Sequence, residues 1–196
     1  KRGIPEEEQP LPGHRYAIFW DVSVASDPTV AVVVDITKPE WRGVYFKHYP
    51  RPMGITQLLN AMMMLHINYN SAEDPRRMLP RSRATTGYDA TAMGGVMFKQ
   101  MLRNLTPSRP VNFGGPAEKL KMLTAARAVL TKGGLVLPDT WTRMRQEVLS
   151  YRLKDDKLRQ DCVMALVGAV NVANSGMGIG VSRPMNVSAR ITPTRR

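Results

Sequence analysis

Hydrophobic positions in the first third of the chain fall in short, dense runs. HRYAIFWDVS (14–23), PTVAVVVDIT (28–37) and RGVYFKHYP (42–50) are rich in β-branched and aromatic residues, with Pro, Gly or Asp clusters between them. Such runs predict three strands, and the short connections predict an antiparallel meander. The period then changes. Ile55, Leu58, Met62, Leu65 and Tyr69 recur at helical spacing, which predicts an amphipathic helix over 54–69. After the loop SAEDPRRMLPRS, ATTGYD (84–89) reads as a short strand leading into a helix near 92–104, and PSRPVNF as another strand. Leu120, Leu123, Ala126 and Leu130 mark a helix over 117–131 that Gly133 and Gly134 stop. LVLP is short and apolar. A helix over 139–151 follows, with Asp139 as its expected cap, and a last helix over about 157–173, with Asp155 or Asp156 as its cap.

Three strands in a meander, then alternating helices and strands, predict an α/β fold with a mixed sheet and helices on both faces. The ribonuclease H-like three-layer fold has this order of elements. The two ends differ in character. Residues 1–13 carry three prolines and the run Glu6–Glu8 and read as a linker at the cut edge of a longer protein. Residues 14–173 hold the globular domain, and 174–196, rich in Gly, Ser, Pro and Arg, read as a flexible basic tail.

Charge narrows the partners. Lys and Arg number 28 against 16 Asp and Glu, a net charge of +12 over 196 residues. An excess of that size points to a polyanion, with nucleic acid first. The single cysteine, Cys162, excludes an internal disulfide and a Cys-based zinc site. The uncharged stretch 162–182 is strongly apolar only in its first half, which predicts a buried helix and no membrane partner. No GxxxxGK[ST] occurs, so this stretch encodes no P-loop ATPase.

Three acids stand where acids are costly. Asp21 follows Ile18, Phe19 and Trp20 at the end of the first strand, and Asp89 ends ATTGYD. Asp161 lies in the first turns of the last helix and shares with Leu158 and Ala165 the face that should bury. Carboxylates on core-facing elements need a partner, and a hard divalent cation takes oxygen ligands. Two Mg²⁺ or Mn²⁺ ions roughly 3.5–4 Å apart can activate a water and stabilise the leaving oxygen in phosphodiester hydrolysis. Other acids have simpler uses: Asp27 as a turn residue, Asp35 as the end of a strand, Asp155 and Asp156 as caps. Arg152, Lys154, Lys157 and Arg159 flank Asp161 and read as DNA contacts, as do Lys119 and Lys121, although any single basic group can equally be a solvated surface. His66 reads as a packed histidine, Cys162 as a buried thiol and Met62–Met64 as core filler. Trp20, Trp41 and Trp141 are too scattered to form a base-stacking platform.

The segments FWDVSVASDPTVAVVV, TTGYDATAMGG, KLKMLTAARAVLTKGGLVLPD and RQDCVMALVGAV, in this order and spacing, resemble the nuclease domain of the large terminase subunit of tailed bacteriophages, over about 15–173. In that family the first acid closes the first strand, the second heads a D-x-x-G-like turn, and the third opens a helix reading like DDxVMALxxA. Carried over, these are Asp21, Asp89 and Asp161 as metal ligands. The chain departs at Gln160, where the family has an acid, and at Gly94 and Gly95, which come slightly late. The resemblance implies a metal-dependent endonuclease that cuts concatemeric double-stranded viral DNA with low sequence specificity in the host cytoplasm. It also implies a terminase ATPase domain in the parent chain, with portal protein and small terminase subunit as partners. Two alternatives remain open: another ribonuclease H-like nuclease (a junction resolvase or ribonuclease H), or a non-catalytic basic domain that docks nucleic acid or portal.

Overall fold

Strands β1 (Arg15–Asp21), β2 (Thr29–Asp35) and β3 (Trp41–Tyr49) form the antiparallel meander. The computed structural model describes residues 7–23, 28–49, 53–70, 83–90, 108–151 and 160–176. β4 (Arg83–Asp89) pairs parallel to β1, β5 (Ser108–Val111) parallel to β4, and the short β6 (Leu135–Val136) parallel to β3. The sheet order is β5-β4-β1-β2-β3-β6. Pro110 is compatible with this plan because β5 is an edge strand, where a missing N–H disrupts nothing.

Helices cover both faces. α1 (Ile55–Asn70) sets Leu58, Met62, Leu65 and Tyr69 against Tyr16, Ile18, Trp20 and Tyr88. α2 (Pro116–Thr131), α3 (Thr142–Ser150) and α4 (Asp161–Gly176) share the other face with Ala17, Phe19, Val30 and Val32. β1 and β2 are therefore buried on both sides, which explains why their sequences are continuous apolar runs rather than alternating ones. α4 is buried from Cys162 to Val170 without interruption. An all-round apolar helix of this kind belongs in a core. Glycines bring it close: a Cβ on Gly168 would stand 2.3 Å from the Phe19 ring, and one on Gly87 2.4 Å from Val172.

Several expectations change. α4 starts at Asp161 rather than near 157, with Gln160 outside the helix and its carbonyl accepting the Met164 N–H at 2.8 Å. Asp139 does not cap α3. That helix begins at Thr142 behind Trp141, with no side-chain cap bond, and Asp139 pairs with Arg145 instead. The start is displaced because Trp141 is fully buried, and its ring packs against Phe46 and under Gly43. Of the methionine triplet only Met62 is core; Met64 is 61 % exposed. Residues 7–13 lie beside β3: Glu7 bridges to Tyr45, the Glu8 N–H reaches the Val44 carbonyl at 2.8 Å, and the Tyr69 hydroxyl donates to the Glu8 carbonyl. The expected helix near 92–104, the caps Asp155 and Asp156, Asp27 and the tail after 176 lie outside the described residues.

His66 is packed as expected, 6 % exposed on α1, with its Nδ1 2.9 Å from the Thr86 hydroxyl of β4. Burial lowers its pKa below the usual 6.5. Between the two values the unfolded chain holds a proton that the folded one does not, so stability falls as pH drops through 6.5 towards the folded pKa. Urea midpoints should accordingly decrease from pH 7 to 5.5, and His66→Gln should flatten that slope; equal slopes in both proteins would remove His66 as the cause.

Candidate active site

The site follows from strand register. Parallel pairing sets Trp20 of β1 opposite Tyr88 of β4, and both strands continue one residue further. Asp21 and Asp89 thus end neighbouring parallel strands side by side, on strands about 4.8 Å apart. Alternation then assigns the face. Trp20 and Tyr88 pack with α1, whereas Phe19 and Gly87 meet Gly168 and Val172 of α4. With a side-chain period of two, Asp21 and Asp89 share the α4 face with Phe19 and Gly87. Both are half-buried at its rim.

Asp161 is the first residue of α4 and is also half-buried. Its end of the helix sits at the same end of the sheet. α2 starts just beyond the C-terminal end of β5, and Lys119 in its first turn donates from Nζ to Gln160 Oε1 at 3.3 Å. A bond from the Ala90 N–H to the Val111 carbonyl, 2.9 Å, ties the ends of β4 and β5 together there. All three acids therefore stand at one end and on one face of the sheet. Among the described residues no three His, Cys, Asp or Glu side chains come close enough together to hold a metal ion. Register makes neighbours of Asp21 and Asp89, and Asp161 opens α4 at the same end of the sheet.

The donor chemistry fits a divalent cation. Two carboxylates on adjacent strand ends offer hard oxygen ligands of the kind such a cation takes. Gln160, next to Asp161, is engaged by Lys119. Lys119 thus reaches the site, whereas Lys121 is 70 % exposed and lies 3.7 Å from Glu118. Arg152, Lys154, Lys157 and Arg159 lie outside the described residues.

One residue at this end escaped the sequence. Glu147 of α3 is buried, and its Oε2 accepts the Cys162 N–H at 2.9 Å, while Oε1 lies 3.3 Å from Arg143 Nε. In sequence, Arg143 and Glu147 look like a solvent-facing i,i+4 pair. Only the docking of α3 on α4 buries that carboxylate. Cys162 is fully buried, and burial followed by the adjacent Glu147 carboxylate pushes its thiol pKa far up. Both effects disfavour the thiolate, the form a nucleophile needs. Asp35 is occupied at the other end of β1, with His14 Nδ1 at 2.6 Å and the Thr37 N–H at 2.9 Å. Trp20, Trp41 and Trp141 are all buried, so none offers a face to a base.

A mixed six-stranded sheet between α1 on one side and α2 to α4 on the other is the ribonuclease H-like fold. The solved structures that share it include the large terminase nuclease of thermophilic phage G20c. With bound zinc, that nuclease superposes over 84 % of this chain and 84 % of its own, at 18 % identity and a TM-score of 0.66. With bound magnesium the coverage is the same, at 16 % identity and a TM-score of 0.67. The large terminase nuclease domain of Thermus phage P74-26 matches 83 % of this chain and 81 % of its own, at 16 % identity and a TM-score of 0.64. At these identities the likeness is one of fold. Neither a protein-family model nor a curated protein sequence matches the chain.

Proposed function

We propose that this chain is a divalent-metal-dependent endonuclease that cuts concatemeric double-stranded DNA during viral genome packaging. The observation that carries the reading is the juxtaposition of Asp21 and Asp89 at adjacent parallel strand ends, on the α4 face of a ribonuclease H-like sheet. The G20c nuclease is described with bound zinc, magnesium and cobalt, which supports divalent-metal binding by a chain of this fold. Asp21 and Asp89 hold the cations, two Mg²⁺ or Mn²⁺, with Asp161 as the third carboxylate. When bound, these ions offset negative charge that builds on the scissile phosphate and its leaving oxygen. Lys119, beside Gln160, meets an incoming phosphate, and Lys121, Arg152, Lys154, Lys157 and Arg159 extend the basic contact along the duplex. Phosphate contacts position the strand without reading it, so specificity is low. The activity belongs in the host cytoplasm, alongside a terminase ATPase domain in the parent chain, the portal protein and the small subunit; likeness in fold to large terminase nucleases supports this reading.

The deciding experiment is plasmid cleavage. The protein should nick or linearise supercoiled DNA with Mn²⁺ or Mg²⁺ and stop in EDTA; undiminished cutting in excess chelator would remove the metal mechanism. Binding without cutting under every metal would leave a docking domain. Preference for a junction or an RNA–DNA hybrid over duplex would favour the other nucleases of this fold.

Affinity should be strongly salt-dependent. If about 6 Lys and Arg side chains neutralise phosphates, log K should fall against log salt with a slope near −5. A slope close to zero in a fluorescence-anisotropy titration would assign the +12 charge to some other partner.

A further inference from the structure

We infer that Glu147 is a positioning residue that fastens the start of α4 and so sets the place of Asp161; this rests on the reading of Asp161 as a metal ligand. The first amide groups of a helix have no partner within it. At α4 the Cys162 N–H finds one on a different helix, the Glu147 carboxylate at 2.9 Å. An ionised acceptor at a helix N-terminus makes a short, charge-assisted bond and opposes the positive end of the dipole. Glu147 is itself held, because Arg143 Nε lies 3.3 Å from its other oxygen. The Cys162 side chain is fully buried beside it, so the peptide joining Asp161 to Cys162 has little freedom to move. That peptide carries Asp161. Lys119 on Gln160 fixes the residue on the other side. Asp161 is thus clamped between two contacts from separate helices, and the Glu147 contact is the buried one.

Three substitutions separate this role from simple packing. Glu147→Met keeps the volume and removes the acceptor, and replacing a buried charge with a well-packed apolar chain is often neutral or stabilising to the fold. Glu147→Gln keeps an acceptor oxygen, and Glu147→Asp keeps the charge on an arm one methylene shorter. Mn²⁺ binding, measured directly by electron paramagnetic resonance without DNA, should weaken by about 10–100-fold in Glu147→Met and Glu147→Asp, the usual loss for groups that orient a metal ligand. Glu147→Gln should restore it to within about threefold of wild type. Amide exchange at Cys162 should speed up in the two weakened variants and remain slow in Glu147→Gln. Wild-type Mn²⁺ affinity in folded Glu147→Met would overturn the inference. If that variant fails to fold, Glu147→Asp is read by the same criterion. Wild-type protein that binds no Mn²⁺ would instead overturn the reading of the site itself, whatever the Glu147 variants do.

Discussion

Asp21→Asn and Asp89→Asn should each lower Mn²⁺-dependent plasmid cleavage by more than about 100-fold. Removing groups that merely orient a metal ligand costs about 10–100-fold, and a ligand itself must cost more. The two acids end adjacent strands in register, and on the proposed reading each supplies one side of the metal seat, so neither replaces the other. An amide of nearly the same shape keeps the packing at the rim of β1 and β4, where both residues are half-buried. Loss of a crowded negative charge also removes repulsion in the metal-free protein. Melting temperatures without metal should stay within about 4 °C of wild type, which corresponds to about 1 kcal/mol for a domain of this size. A variant that is folded and still cuts at half the wild-type rate would exclude that aspartate from the chemistry.

Gly168→Ala should destabilise the protein by about 2 kcal/mol, although alanine is the better helix former. The added methyl would stand 2.3–2.4 Å from three atoms of the Phe19 ring. Phe19 is wholly buried and packs edge-on against Phe113, with ring centroids 5.9 Å apart, so it has no room to withdraw. Overpacking of this kind costs about 1–3 kcal/mol and sometimes more. The gain from replacing a mid-helix glycine returns about 1 kcal/mol at most. Scanning calorimetry should register a fall of roughly 4–8 °C. Gly87→Ala, aimed at Val172 from the strand side, should behave alike. An unchanged melting temperature in both would mean that α4 does not approach β1 and β4 this closely.

The sequence made the sheet legible because its strands are unusually uniform. TVAVVVD and RYAIFWD leave no helical period to compete, and the strand and helix assignments from Arg15 to Thr131 agree with the structure wherever residues are described. Starts of helices were less legible. Asp139 suits a cap, but Trp141 takes that position, and its burial pulls the helix start past the aspartate. The same holds at α4, where the group that accepts the Cys162 N–H is Glu147, outside the window that a local rule examines. The pairing of Asp21 with Asp89 could be proposed from strand ends but needed the parallel register of β1 and β4 to become a geometric statement. Burial of Glu147 was invisible, since one helix shows an exposed ion pair and only two packed helices show a clamp.

Consider, finally, where α4 lies in the order of synthesis. It packs centrally against β1, β2 and β4, yet it is the last described element of the chain. Contacts between β1 and α4 close a long loop, and such non-local contacts form slowly. A nascent chain that has emerged only as far as α3 already holds Asp21 and Asp89 but exposes the apolar face that α4 should cover. Its helix-side acid, Asp161, is not yet made. On the proposed reading, cutting therefore waits until α4 has been made, and a product that stops short of it is a chaperone or protease substrate rather than a stray nuclease.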